Sequence, residues 1–349
     1  MCGDATVEKT DIGYKSISKH LSVPILWVED IRLLPRSKLS KLHALEEGSL
    51  SNTRPADKTP FIFAHEFFDA LPIHAFQSVA PLQASQPTTT QIMTPTGPTT
   101  LHSSKKASET PQWRELMVAL NPKRVVENRK DEPEFQLSVA NASTPSCLVI
   151  PEISPRYKAL RSQPGSIIEV SPESRVTVAE FARRIGGSPG TSAGASRGGP
   201  RGNQFVKQKA SGAAFILDYG PASTIPVNSL RGIRQHAKAT PFSFPGQVDV
   251  SADVDFTGLA EAAIEASEGV EVHGPVEQGD FLMSMGIVER ADQLLKNIQD
   301  DEKRKILETG WRRLVDKGVG GMGKIYKVLA IVPENEGRRR PVGFGGIVK

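Results

Sequence analysis

The chain has 349 residues, 38% of them hydrophobic and 23% charged, with a formal net charge of +4. That is the make-up of a soluble globular chain carrying some unstructured sequence, and no apolar run reaches bilayer-spanning length. Two cysteines, Cys2 and Cys147, exclude a disulfide framework or a cysteine-rich zinc site, and the clustered basic residues at 197–201 and Arg338-Arg339-Arg340 lack the interleaved aromatics of a nucleic-acid-binding face.

The opening MCGDATVEKTD has neither the apolar stretch of a signal peptide nor the arginines of a transit peptide. Residues 23–28 (VPILWV), a short apolar run stopped by Glu29-Asp30, read as a buried strand. Residues 60–64 (PFIFA) read as a second strand, ending in His65-Glu66-Phe67-Phe68-Asp69-Ala70-Leu71-Pro72. Residues 80–108, rich in Thr, Pro, Ser and Gln, predict an unstructured insertion, as does the nearly pure Gly/Ser/Ala/Pro stretch 186–202. Between them, Ser171-Pro172-Glu173 gives a cap, a first-position proline and a first-turn acid. Val178, Phe181, Ala182 and Ile185 follow at helical spacing, and Gly186-Gly187 stop the helix. Residues 213–217 (AAFIL) form a third strand, closed by Asp218-Tyr219-Gly220. Asp255 caps a helix whose predicted apolar face is Phe256, Leu259, Ala260, Ala263 and Ile264. Asp300 or Asp301 caps residues 302–315, with Ile306, Leu307, Trp311 and Leu314 on the predicted buried side. Residues 325–332 (IYKVLAIV) close the pattern as a strand. Strands alternating with helices predict an α/β fold, and the continuous apolar runs suit parallel strands covered on both faces.

Ligands of an open α/β sheet bind beyond the carboxyl ends of its strands, so the polar residues that follow each run are the candidate site. After residues 23–28, Asp30 is placed to accept from an adenine amino group and Ile31 to cover the ring; an ordinary strand-end turn is the alternative. After residues 60–64, Glu66 and Asp69 put two carboxylates among phenylalanines, where an unpartnered charge is costly. A bound cation resolves that cost. An arginine guanidinium, permanently charged and planar, matches Glu66 in a bidentate pair, and Phe67 and Phe68 then flank the guanidinium plane or a methyl donor. The plainer alternatives are a capping role for Asp69 and a core role for both rings. Asp218 and Tyr219 line the same crevice or simply form a turn. His65-Glu66-x-x-Asp69 also has the outline of a zinc-protease helix, but Asp69 stands where the second histidine belongs and Pro72 ends any helix. No metal is expected.

The segment AHEFFDALPIHAF (64–76) resembles the hallmark of the MidA-like family of protein arginine methyltransferases, which includes mitochondrial complex I assembly factor 7. Further resemblances follow in family order: Gln112-Trp113-Arg114-Glu115 as a strand start, Glu169-Val170-Ser171-Pro172 as a helix start, and Ile216-Leu217-Asp218-Tyr219-Gly220. Leu230-Arg231-Gly232, Ala252-Asp253-Val254-Asp255-Phe256, Phe281-Leu282, Met285-Gly286-Ile287 and Met322-Gly323 complete the series.

The resemblance implies a Rossmann-like class I methyltransferase fold with a family-specific insertion and S-adenosylmethionine as cofactor. It further implies symmetric dimethylation of an arginine on a complex I subunit during assembly, in the mitochondrial matrix. Catalytic roles fall to Glu66 and Asp69, cofactor contacts to Asp30, Ile31, His65 and Phe67, and substrate contacts to Phe68, Asp218 and Tyr219. No glycine-rich loop precedes residue 23, so the first strands and that loop are expected to be missing. The alternative function is a catalytically inactive protein that binds a complex I subunit. The expected organisation is a cofactor-binding remainder (1–79), an insertion (80–108), a substrate region (109–185) and a second insertion (186–211). The C-terminal half of the catalytic domain (212–333) and a basic tail (334–349) follow.

Overall fold

A computed structural model describes residues 31–33, 59–81, 88–94, 97–103, 110–127, 129, 132–187, 207, 209–235 and 237–345. The chain divides into two units, Met1–Ala56 and Asp57–Lys349. In the first, the described residues are one 3-10 turn, Ile31–Leu33. The strand expected at 23–28, and Asp30, lie outside the described residues.

All further elements belong to the second unit. Its first strands are β1 (Phe61–His65), β2 (His74–Val79), β3 (Thr88–Thr94), β4 (Gly97–Ser103), β5 (Gln112–Leu120), β6 (Phe135–Val139) and β7 (Ile167–Val170). Those that follow are β8 (Ala213–Tyr219), β9 (Arg231–Arg234), β10 (Ala237–Ala239), β11 (Asp249–Ser251), β12 (Val270–Glu277) and β13 (Tyr326–Pro333). The helices are α1 (Pro122–Val125), α2 (Pro145–Val149), α3 (Pro155–Leu160), α4 (Pro172–Gly186), α5 (Phe256–Ala266), α6 (Gln278–Ser284), α7 (Ile287–Lys296) and α8 (Asp301–Val315).

The sheet that positions the site has the order β1-β8-β13-β12. β1 and β8 are parallel, with Phe61 opposite Ala213 and His65 opposite Leu217. β13 runs antiparallel to β8, so its first residue, Tyr326, lies opposite the last residue of β8, Tyr219. Ala214, Ile216, Val328, Leu329, Ala330 and Ile331 are fully buried. Val328 and Ala330 share a cluster with Phe344, Phe281 and Phe215, and by strand alternation Leu329 and Ile331 face the opposite side. α4 and α5 pack on each other and against β12, as α6 does against β12 and β13. The architecture is α/β, as expected. β1 departs from the expectation of strands covered on both faces, because Phe61 and Phe63 are exposed.

Helix starts follow local chemistry. Ser171 accepts from Ser174 N at 3.2 Å before Pro172, and Gly187, at φ 87°, ends α4. Val178, Phe181, Ala182 and Ile185 of α4 are buried, as their spacing predicts. Two faces differ from prediction. On α5 the buried residues include Ala262 and Ala266, leaving Ile264 exposed. On α8 no residue is fully buried and Ile306 is 70% exposed, because the helix is covered along one narrow side by α6 and α7, where Leu307, Trp311 and Val315 are half-buried.

Beside this sheet stands an antiparallel one of order β6-β5-β2-β7. Its core is Phe76, Trp113, Cys147, Tyr157, Ile168 and Val170. The stretch 80–108, read from composition as unstructured, contains the antiparallel hairpin β3–β4. Its threonines favour extended backbone, an effect the overall polar composition concealed. Most of the second insertion, 188–206, lies outside the described residues.

Candidate functional site

The end of β1 is shaped by one buried carboxylate on its parallel neighbour. Glu66 N still donates to Leu217 O at 3.0 Å, continuing the ladder one residue past the strand. The chain then turns, with Glu66 itself at φ 48°, a left-handed conformation that side chains with a Cβ seldom adopt. Asp218 Oδ2 accepts from Phe67 N at 3.1 Å, Phe68 N at 2.9 Å and Asp69 N at 3.4 Å, and its Oδ1 accepts from Tyr219 N at 2.9 Å. Asp218 is fully buried. Burial, and then the charge of Asp69, pushes its carboxyl up to about 6 against the pull of these N–H groups. Asp69 O in turn accepts from Ala252 N at 2.9 Å, fastening the loop to the chain that leads into α5.

On this loop Glu66 is exposed and meets two phenols. Tyr326 Oη contacts both Glu66 Oε1 and Tyr219 Oη in short hydrogen bonds, and Tyr219 Oη lies 3.4 Å from the same carboxylate oxygen. The two tyrosine rings are 4.1 Å apart between centroids, and the His65 ring stacks on Tyr326 at 6.3 Å. Tyr326 is buried, and burial, followed by Glu66 and Tyr219, holds its phenol far above the ordinary range. Tyr219 is raised as well, again mainly by burial.

A cation borders the cluster. The Arg231 guanidinium lies 5.0 Å from the Tyr219 ring centre and is tied to Asp253 at 2.5 Å and to Ser229 O at 3.3 Å. Burial raises the Asp69 carboxyl; Arg231 pulls it down and Glu66 pushes it up. Behind Arg231, Ser229 N donates to both oxygens of the buried Glu169, at 3.0 and 3.2 Å, and Asp253 N donates to Ser229 Oγ at 2.8 Å. Asp255 accepts from Tyr157 Oη at 2.7 Å, from Arg156 at 3.1 Å to each oxygen, and from Gly258 N at 3.0 Å. A cavity of about 20 Å³ beside Glu169, Asp253, Asp255 and Tyr157 has room for a water molecule.

Of the residues singled out in the sequence, Glu66, His65, Phe67 and Tyr219 come together at the carboxyl ends of β1 and β8, with His65 and Phe67 exposed beside Glu66. Asp69 and Phe68 lie behind the surface. Phe68 is only 2% exposed and packs edge-on against Phe181 of α4, so its ring faces the core rather than the crevice. Asp218 reaches the site through the backbone it holds. Ile31 belongs to the first unit's turn, and Asp30 is outside the described residues. The zinc-protease outline fails on local structure, because Phe61–His65 is a strand running into a turn and the motif needs one helical face. Sequence reasoning gave no chemical role to Tyr326 or Arg231. The signal for Tyr326 was its place at the start of the last strand, which an antiparallel return brings beside Asp218-Tyr219-Gly220.

Residues 8–276 match the family model described as "Putative S-adenosyl-L-methionine-dependent methyltransferase". The chain is 28% identical over 332 residues to "Protein arginine methyltransferase NDUFAF7, mitochondrial" of Rattus norvegicus, covering 95% of this chain and 53% of that protein. The Mus musculus protein of the same name is 30% identical over 319 residues, covering 91% and 51%. The "Protein arginine methyltransferase NDUFAF7 homolog, mitochondrial" of Drosophila melanogaster is 27% identical over 272 residues, covering 78% and 47%. The chain thus spans about half the length of the curated relatives it matches. A crystal structure from Burkholderia thailandensis with S-adenosyl-homocysteine bound superposes with a TM-score of 0.49 at 16% identity, covering 84% of this chain and 57% of that one.

Proposed function

The chain belongs to the S-adenosyl-L-methionine-dependent methyltransferase family whose model it matches, and from that premise we propose that it methylates a protein arginine at a site centred on Glu66. The observation that carries this reading is the setting of Glu66 at the carboxyl end of a parallel strand. It is an exposed carboxylate with Oε1 bound by Tyr326 and Oε2 free of hydrogen bonds and ion pairs among the described residues. A guanidinium fits such an acceptor in its own plane. Held there, its positive charge is drawn toward the carboxylate and away from the nitrogen that accepts a methyl group.

The described residues also fit the methyl donor on one side. The exposed faces of Phe67 and His65 are surfaces on which a purine stacks and a sulfonium cation is stabilised. S-adenosylmethionine, when bound, supplies an electrophilic methyl group. The chain's part is to orient the acceptor with Glu66, wall it with Tyr219, and hold the loop in shape through Asp218 and Phe68. Asp69, mostly buried, lies behind the loop, where burial raises its carboxyl and Arg231 draws it down.

The finer reading follows the names of the relatives and the resemblance of the sequence. The substrate is an arginine of a complex I subunit, dimethylated symmetrically in the mitochondrial matrix during assembly. Incubation with labelled S-adenosylmethionine and mitochondrial extract, read by mass spectrometry, tests it. Glu66→Gln is expected to lower methylarginine formation about 10²-fold, the usual loss when one charged partner is removed from a catalytic site. Unchanged methylation by that variant excludes Glu66 from the role.

A further inference from the structure

We propose that Tyr326 is the positioning residue of the site, clamping one oxygen of Glu66 so that the other is presented to an arginine; this rests on the arginine-acceptor reading above. Glu66 needs such a clamp. It sits on an exposed turn past the end of β1, and a glutamate side chain there has three rotatable bonds and no packing to hold it. Its left-handed backbone fixes where the side chain starts but not where the carboxylate ends.

Tyr326 has the opposite character. Its ring is 1% exposed, it opens the buried strand β13, and the register of that strand sets it across from Tyr219. The phenol oxygen is therefore a fixed point delivered from the sheet. Proton counting gives the direction of the interaction. Two phenols bring two protons to three short or near contacts, and an ionised carboxylate only accepts. The chain of hydrogen bonds must end on Glu66, and Tyr326 is the phenol in close contact with it. Because burial and its neighbours raise the Tyr326 phenol, it keeps its proton and stays a donor. Tyr219, at 3.4 Å, steadies Tyr326 instead.

The arrangement joins residues 260 positions apart in sequence. The Tyr326 ring is buried, and its hydroxyl is the part that reaches Glu66 and Tyr219. Its removal as Tyr326→Phe keeps the ring and deletes the hydroxyl's bonds to Glu66 and to Tyr219.

The test is a double-mutant cycle on the full chain, with N-acetyl-L-arginine amide as the probe and binding followed by nuclear magnetic resonance titration. Tyr326→Phe is expected to weaken binding about 10-fold, in line with loss of a hydrogen bond to a charged group. In a Glu66→Gln background the same change is expected to have little further effect, because the group it positions is gone. Equal losses in both backgrounds, or wild-type affinity in Tyr326→Phe, overturns the proposal while leaving the arginine reading standing. Failure of the unmodified chain to bind the probe overturns the arginine reading and the proposal with it. Should Tyr326→Phe not fold, the Cζ resonance of Tyr326 decides. It is expected to move in Glu66→Gln, and an unmoved signal overturns the clamp.

Discussion

Replacing Asp218 by asparagine measures which force rules the carboxylate at the heart of the loop. In the fold its carboxyl rises from 3.8 to about 6, first through burial and then through Asp69, while the N–H groups of Tyr219, Phe68 and Phe67 oppose the rise. An acid raised in this way keeps its proton in the folded chain after the unfolded chain has released it. Between those two values the fold binds more protons, so stability is greatest below the unfolded value and falls as pH climbs through the folded one. At about 1.4 kcal/mol for each pH unit of that interval, Asp218 costs about 3 kcal/mol once it is ionised. The residue is fully buried, so solvent screening does not reduce the figure. Asparagine keeps the shape and cannot ionise. Urea unfolding of both proteins at about pH 4 and about pH 7.5 gives two stability differences, and carboxylates common to both cancel. The wild-type chain is expected to lose about 2.5 kcal/mol relative to Asp218→Asn between the two, because at pH 4 the unfolded carboxyl is already partly ionised. A difference that stays level, or grows in favour of the wild type, refutes the reasoning, because it means the N–H donors outweigh burial.

Two further substitutions probe the frame around the site. Asp255→Ala removes the cap of α5, the anchor of Arg156 and the acceptor of the buried Tyr157 hydroxyl, and is expected to cost about 3–5 kcal/mol in urea unfolding. A loss under about 1 kcal/mol shows that the network relaxes without it. Gly220→Ala is expected to cost at least about 2 kcal/mol, because φ is 151° and a Cβ there meets Val254 O at 2.4 Å. Gly246→Ala, at φ 78° with open space around it, is the control and is expected to cost about 1–2 kcal/mol. Melting curves that rank the pair the other way contradict the steric account.

Much of the frame was legible because its signals are local. The cap, proline and acid at Ser171-Pro172-Glu173 mark the start of α4, and Asp255 marks that of α5. β1 and β13 each lie within one residue of the runs read from the sequence. The same cap-and-proline signature opens α1, α2 and α3 at Asn121-Pro122, Thr144-Pro145 and Ser154-Pro155, but these helices span only four to six residues and carry no apolar period to draw attention. The exposure of Ile264 and Ile306 was not legible. Helical spacing gives an apolar stripe, and how wide a stripe is covered depends on the neighbours that pack there.

The site divides along the same line, and the division has a physical cause. Glu66, Phe67 and Asp69 stand in one continuous segment after an apolar run, so the costly placement of two carboxylates among aromatics can be seen without a structure. What holds the segment cannot be seen that way. Asp218 acts on backbone N–H groups about 150 residues away, and N–H groups leave no mark in a sequence. Tyr326 is harder still, because strand-end reasoning looks at the carboxyl ends of parallel strands and Tyr326 starts an antiparallel one. Reversing the direction of β13 puts its beginning where β1 and β8 finish, so the residue that steadies Glu66 sits at the end of the strand that such reasoning passes over. In a mixed sheet the search must therefore include the first residue of every antiparallel member. Applied here, that rule points to Tyr326 before any distance is measured.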